Sequence, residues 1–506
     1  MNDHGTTHLG TQPGAFADVL MSGVNYRYGP EARMIVDADF RHGRSDTLRL
    51  EGSSWSSLEA NPRPLRIVLR TDALVPKATL RFMHHSADTT YNAAMPIEIE
   101  DRSLLFSYTV ERLLTGDGAD FGVTAKANFA PSEVVLNTRQ SQAAKGLQGL
   151  WDRFESGAAN DVQLMNIFTG LYDQVAQGYT GVLDTIASEI VGVSAAASPA
   201  MATSFIGTTQ SCPGFVGDGT LLAEGECAWG RVSGSIHDRS PNSEDAGYRG
   251  DTVAIQGGGQ KRLADGWFLG GAIGLEQGWV ESSNGRERSD GNSFMAGVAL
   301  KRQQGPWLLS AALGFGYGWG DSTRQVVLPR WSAVASASPR SDFQAGRLRA
   351  SDEIPMQRWY LRPILDLDVI RVHQADYSES GAGALNLMIE DQSKVFFAAT
   401  PAIEVGGRFE VNEHLIARPY LTLGLSLLSD DTWATEARLQ GQDNTNSPDM
   451  TFATPIPDIL ARVSLGVDLL RKDGSEKRWE AKLQYDGEFG DDYSSNGGIL
   501  RIGYRF

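Results

Sequence analysis

Residues 307–319 read WLLSAALGFGYGW. The odd positions, Trp307, Leu309, Ala311, Leu313, Phe315, Tyr317 and Trp319, are all apolar, and the positions between them are mostly Gly, Ser or Ala. A period of two is a β-strand with one greasy face and one face of small residues. A strand in a soluble sandwich runs for about five or six residues. This run is about twice that, with an aromatic residue at each end, as in a strand that crosses a bilayer at a tilt.

The pattern recurs. In WFLGGAIGLEQGW, Trp267, Leu269, Ile273, Leu275 and Trp279 oppose Gly270, Ala272, Gly274, Glu276 and Gly278. WYLRPILDLDV sets Trp359, Leu361, Leu365, Leu367 and Val369 against Arg362, Asp366 and Asp368. ARPYLTLGLSL and ILARVSLGVDL repeat it, with Arg418 and then Arg462 and Asp468 on the polar face. Alternation alone leaves open which face is inside, and a soluble β-sandwich is the alternative. Length, aromatic ends and Gly-rich second faces favour an apolar exterior around a polar lumen, since only a closed barrel satisfies every backbone group in lipid. The charges expected to face that lumen are Arg231, Arg362, Asp366, Asp368, Glu404, Arg408, Arg462 and Arg501.

From Cys227 onward, strand starts are expected near Ala228, Thr252, Trp267, Ser293, Trp307, Phe343, Trp359, Val395, Arg418, Ile459, Trp479 and Ile499, an even set of about twelve. The strand near Phe343 is the weakest, because RSDFQAGRLRASDEI alternates poorly. Short turns such as ADG at 264–266 suit the periplasmic rim and long polar loops the exterior. The chain closes on ILRIGYRF, with Leu500, Ile502, Tyr504 and Phe506 on one face.

The 506 residues allow two or more domains, and no window approaches about eighteen consecutive apolar residues. The start, MNDHGTTHLGTQPG, shows no basic region followed by an apolar one, so export requires a start other than the one given. A formal charge of −17 argues against nucleic acid. The two cysteines, Cys212 and Cys227, are either unrelated buried thiols or a pair. Pairing needs an oxidising compartment and would close a loop worth roughly 3 kcal/mol.

Upstream of the strands, Leu164, Ile167, Phe168, Leu171 and Val175 fall at helical spacing. Val182, Leu183, Ile186 and Ile190 continue it, with Gly178 and Gly181 expected to interrupt. The run VSAAASPAMATS suits a helix that passes inside a barrel without filling it. Residues before about 130 read as short strands and turns, including ARMIVDADF, DTLRLEG, LRIVLRT and ATLRFMH. They carry no GxSxG, and His84 and His85 lack metal-ligand spacing around them. Ser86 and Asp88 beside them suit a solvated turn better than a triad. GDGAD at 116–120 lacks the further carboxylates of a calcium loop and is expected to be a turn. No cofactor or metal is expected.

The strands, together with ECAWGRVSGS at 226–235 and the closing YRF, resemble the translocator domain of autotransporters, the type V secretion family. LDTIASEIVGVSAAASPAMATSF at 183–205 is similar to the helical stretch before strand one in that family, and NTRQSQAAKGL at 137–147 to the start of its linker. MIVDADFRHGRSDTLRLEG resembles the last coils of a β-helical passenger, of which only a few fit here. The resemblance implies an all-β transmembrane barrel of about 12 antiparallel strands with an α-helix in its pore. It divides the chain into a passenger over 1–135, a linker and pore helix over 136–222 and a barrel over 223–506. It further implies a non-enzymatic, adhesin-like passenger at the surface of the bacterial outer membrane, and a monomer. The partners it implies are lipid, the barrel assembly machinery and a host or surface ligand. The terminal face Leu500, Ile502, Tyr504 and Phe506 would be the assembly signal, and export would favour a Cys212–Cys227 disulfide. Two rival readings are a porin-like channel and the translocator of an enzyme whose catalytic part lies upstream. On this reading Leu313→Arg should harm membrane anchoring more than Gly314→Arg.

Overall fold

The computed structural model describes the chain apart from residues 1, 4, 11–14, 59–63, 72–73, 76–77, 92–96, 101–102, 157–160, 211, 216–218, 443–448 and 472–477. Twelve antiparallel strands close into a barrel: β1 (Cys227–Arg239), β2 (Tyr248–Ala264), β3 (Trp267–Ser282), β4 (Glu287–Gln304), β5 (Trp307–Leu328), β6 (Arg340–Ser351), β7 (Trp359–Gln374), β8 (Gln392–Gly407), β9 (Leu415–Leu428), β10 (Ile459–Arg471), β11 (Arg478–Gly490) and β12 (Tyr493–Arg505). Closure is by β12 on β1, in register from Cys227↔Arg505 to Arg239↔Tyr493, so no edge is left within the barrel wall. Several strands start earlier than expected, β4 at Glu287 rather than near Ser293 and β12 at Tyr493 rather than near Ile499. Their extra residues are polar and lie beyond the apolar band, where alternation no longer marks a strand.

The greasy face of the opening stretch points outward: Leu313 is 68 % exposed, while Ser310 and Ala312 are buried. From Trp307 to Trp319 is twelve steps of about 3.3 Å, which at a tilt of about 40° spans roughly 30 Å, the thickness of the hydrocarbon layer. The C-terminus and the short turns share one rim. At one such turn Gly266 has φ +66° and any Cβ would lie 2.5 Å from the Gln303 carbonyl oxygen, so only glycine fits. The long connections share the other rim, the cell-surface one.

Residues before the linker form three parallel sheets, the strands of successive coils stacking as Thr6↔Arg33, Arg33↔Arg66 and Leu65↔Ile97. This is a short β-helix with coils of about thirty residues, closed by the antiparallel hairpin Phe106–Thr115 and Gly118–Ala127. GDGAD is the turn and start of the second strand of that hairpin. Among the described residues four helices follow: α1 (Thr138–Ser156), α2 (Val162–Leu171), α3 (Ala176–Ile186) and α4 (Val193–Thr209). Gly178 and Gly181 do not interrupt: both lie within α3, whose face of Tyr179, Val182, Leu183 and Ile186 is buried, and packing offsets the glycine penalty of about 1 kcal/mol each.

One hydrophobic cluster runs from the β-helix (Trp55, Phe82, Phe121) through α1–α3 (Trp151, Phe168, Leu183) to the outer extensions of the barrel (Val326, Leu385, Leu439, Phe452). The β-helix therefore sits on a platform of strands that rise beyond the bilayer, the hairpin Ser322–Leu328 with Trp331–Ala337 and the sheet formed by Tyr377–Ser378, Leu387–Ile389, Thr432–Leu439 and Met450–Pro455.

Candidate functional site: the occupied bore

Helix α4 occupies the bore, and its seat explains the small-residue face of the opening stretch. A Cβ on Gly314 would lie 2.8 Å from Ile206 Cγ1 of the helix, and one on Gly297 would lie 3.1 Å from both Phe205 Cε1 and Thr209 Cγ2. Gly270 and Gly274 extend the seat, with Thr209 O at 3.0 Å and Phe205 Cε2 at 3.4 Å from the corresponding Cβ positions. Glycines on β3, β4 and β5 thus let the helix side chains Phe205, Ile206 and Thr209 pack directly onto the strand backbone. The run VSAAASPAMATS, expected to pass inside the barrel, lies within α4, while the first residues of the similar stretch 183–205 fall outside it. Leu183–Ile186 belong to α3 outside the bore, and the pore helix is Val193–Thr209, with Pro199 inside it.

The turn between α3 and α4 is clamped at the outer mouth. Glu287 accepts hydrogen bonds from Ser188 Oγ (2.7 Å), Glu189 N (2.8 Å) and Ile190 N (3.2 Å). Arg324 donates to the carbonyls of Thr185 (2.7 Å) and Ile186 (3.2 Å) while paired with Glu379. Arg139 of α1 donates to the Ser188 and Ala453 carbonyls and pairs with Asp245. Burial pushes the Glu189 carboxyl above its ordinary value, opposed by the Arg139 charge.

Beside the seat and across from it the lumen is charged. Arg347 grips Asp368 with two bonds of 2.6 and 2.9 Å, and Arg349 grips Asp366 with two of 2.6 Å. Glu404 accepts from Tyr360 Oη (2.7 Å) and Arg418 (2.7 Å), and Arg418 also reaches Asp468 (2.6 Å). Arg362 pairs with Glu353, and Arg462 with Glu488. Arg501 lies 3.4 Å from Glu480 and 5.2 Å over the Trp229 ring. Arg231 lines a cavity of about 580 Å³ between α4 and this wall. Arg408 lies past the end of β8, at the inner rim, where it donates to the Gly219 carbonyl (2.9 Å). Arg347 and Arg349 are lumen charges that the alternation of their strand does not mark. Their strand alternates poorly because its outward face is Gln344, Gly346, Leu348 and Ala350 while Phe343 points inward.

Cys212 and Cys227 are disulfide-bonded and both are 1 % exposed, which ties the end of α4 to the start of β1. Leu500, Ile502 and Phe506 face outward, and the rings of Trp479, Tyr504 and Phe506 form a chain of contacts at the inner rim, with centroids 5.0 and 6.4 Å apart. In the β-helix His84 bonds Asp120 (2.7 Å), while Ser86 bonds Asp88, so the two histidine-adjacent pairs are separate. Among the described residues no group of three or more His, Cys, Asp or Glu is placed to hold a metal.

Residues 228–497, more than half of the chain, match the autotransporter β-domain family. Among solved structures, the chain is similar to the translocator domain of the autotransporter NalP from Neisseria meningitidis, at 12 % identity over 62 % of this chain and 98 % of that one, with a TM-score of 0.47. It is also similar to the β-domain of the Bordetella autotransporter BrkA (16 %, 56 % and 99 %, TM-score 0.39) and to the transport unit of AIDA-I from Escherichia coli (11 %, 63 % and 99 %, TM-score 0.39). No curated protein matches it. The family is one of non-catalytic translocators of the bacterial outer membrane that carry their own N-terminal passenger to the cell surface. With its closed twelve-stranded wall and helix-threaded bore, the chain belongs to the autotransporter β-domain family.

Proposed function

We propose that the chain exports residues 1–135 and keeps them at the surface as a covalently attached binding domain, with 136–222 as linker and pore helix and 223–506 as the barrel. The observation that carries this reading is the path of the chain, which runs from the β-helix on the outer platform through the bore as α4 and returns at the inner rim as β1. Adhesion rather than catalysis is favoured because the passenger is little more than stacked coils whose polar clusters are internal ion pairs, such as Asp37 with Arg70 at 2.6 Å. Its ligand is a host or surface molecule. The partner in delivery is the outer-membrane assembly machinery, which reads the outward face Leu500, Ile502, Tyr504 and Phe506. Phe506 is 48 % exposed, and loss of its ring from a finished barrel costs about 1 kcal/mol. The expectation is that Phe506→Ala protein refolds in detergent nearly as the parent does but accumulates unassembled in cells. Normal assembly in cells would make Phe506 merely the last residue of a strand.

A further inference from the structure

The outward face of the barrel changes character between β5 and β8. Hydrogen-bonded rows climb toward the cell-surface rim in this part of the wall. The row that starts at Leu313 passes through Gly346, Val369 and Phe397 and ends at Ser429, beyond the outer end of β9. With strands about 4.8 Å apart and tilted by about 40°, each step adds roughly 3 Å of height. Phe315 shares a row with Gln344 and Arg371, so Arg371 lies about 6 Å above Phe315, level with Tyr317. On β3 and β5 that belt carries Trp279, Tyr317 and Trp319, whereas on β6 and β7 it carries Asp342, Gln344, Arg371 and His373.

Below that polar belt the wall is hollowed. An apolar groove of about 910 Å³ crosses the outward face from β4 to β9, over Ala311, Leu313, Gly346, Val369, Phe397 and Leu427. Gly346 is its floor, where a Cβ would meet nothing nearer than Leu313 Cδ2 at 3.6 Å. Val369, at the upper margin, is two residues from Arg371 on the same face, about 7 Å along the strand. Arg371 is exposed, and among the described residues it bonds the Ser393 hydroxyl (2.9 Å) and pairs with no carboxylate. Arg340, at the outer end of β6, is likewise exposed and without an ion pair among the described residues. The carboxylates nearby are already engaged, Asp342 and Asp391 by the two ring nitrogens of His373 (2.7 and 2.8 Å). Outward arginines elsewhere in the belt are paired, Arg249 with Asp251 (3.9 Å) and Arg288 with Glu281 (2.9 Å).

We propose that the outward face of β6 to β8 binds a phosphorylated saccharolipid of the outer leaflet, its acyl chains in the groove over Gly346 and its phosphates on Arg371 and Arg340. The two arginines are separated by four residues along the strands and one strand spacing, roughly 14 Å, which suits two phosphates at opposite ends of a disaccharide better than a single phosphodiester. Gln344, Ser393 and His373 surround Arg371 with hydrogen-bonding groups for sugar hydroxyls. The groove crosses five strand spacings, about 24 Å, enough for several acyl chains side by side. Guanidinium and phosphate pair through charge-assisted, bidentate bonds, and these are stronger at the edge of a low-dielectric layer than in water. The site lies outside the bore and does not involve the pore helix. Its consequence is a lipid that stays on this side of the barrel for longer than those passing over the rest of the belt.

The test is native mass spectrometry of the full chain in detergent micelles, with a hexa-acylated, bis-phosphorylated glucosamine disaccharide as the probe. One bound copy is expected on the parent. The bound fraction should fall several-fold when Arg371→Gln and Arg340→Gln are combined, and again in Gly346→Leu, which fills the floor of the groove. Arg288→Gln, whose arginine is paired with Glu281, should bind as the parent does. The same lipid stripped of both phosphates should bind the parent several-fold less, a result that needs no variant to fold. Equal binding of the two lipids by the parent overturns the proposal, as does equal binding of the intact lipid by the parent and the folded double variant. Phosphatidylglycerol bound as well as the disaccharide lipid, and lost in the same variants, would show a site for any anionic lipid and overturn the assignment to a saccharolipid.

Discussion

Strands β3 to β5 meet the pore helix with Gly270, Gly274, Gly297 and Gly314, and β6 and β7 extend that wall with Phe343, Ala345, Ile370 and Val372, whereas the open side of the lumen carries Asp366, Glu404, Arg418 and Arg462. The first side removes side chains so that a helix packs in van der Waals contact. The second keeps long charged side chains and satisfies them against one another across neighbouring strands. The bore is therefore not a pipe with a stopper at its centre. It is an asymmetric groove, where the linker lies along one wall and the other wall holds itself rigid without it.

The largest effect is expected at Arg418, which is 4 % exposed and shared by Glu404, Asp468 and Tyr360. Arg418→Met removes the buried cation shared by Glu404 and Asp468, leaving Glu404 with Tyr360 and a longer contact to Arg362 (3.5 Å), and should cost about 3–5 kcal/mol in urea unfolding from lipid vesicles. A small loss would mean that water, and not the arginine, compensates those carboxylates.

Next is the outer face, where Leu313→Arg should cost about 2–4 kcal/mol in the same assay if that residue lies near the midplane. Its neighbour Gly314 tests the seat. Gly314→Ala pushes a methyl group into Ile206 and should cost about 1–3 kcal/mol, with faster hydrogen exchange in α4 and little change in membrane anchoring. Gly278 is the control on the same wall. It also faces the lumen, but its Cβ would meet nothing nearer than 3.5 Å, so Gly278→Ala should leave α4 exchange unchanged. Equal responses at the two glycines would remove the distinction between seat and open lumen.

The smallest effect lies in the β-helix. Burial holds the His85 imidazole below its ordinary value. The unfolded chain therefore takes up the proton first, and stability present above about pH 6.5 is lost as pH falls below it. Hydrogen exchange of the strand Leu80–Ser86 in the full chain should accelerate between pH 7 and 5, and His85→Asn should flatten that dependence. A profile unchanged by the substitution would show that other groups control it.

The wall of the barrel was legible because lipid imposes one strong rule, apolar outward at every second residue, and residues such as Leu309, Leu313, Leu365 and Leu423 obey it. The strand Arg340–Ser351 was hard to read because Gln344 and Gly346 break that rule outside while Phe343 breaks it inside. The glycine seat was visible as composition but not as purpose. A glycine can mark a bulge, a turn or a close approach, and only the partner, here Phe205 and Ile206, decides. Helix α3 was misread at Gly178 and Gly181 because local propensity yields to a buried face when that face packs on a platform assembled from distant strands. Charge pairs such as Arg347 with Asp368 depend on register between strands, which alternation does not fix.

Export through this bore requires the linker to emerge on the outer side of the membrane. Val135, between the β-helix and α1, is 95 % exposed. Val135→Cys in the full chain should react with a membrane-impermeant maleimide on intact cells, as fully as after the outer membrane is permeabilised. Labelling that appears only after permeabilisation, in protein whose barrel is assembled, would contradict export of the passenger through this bore.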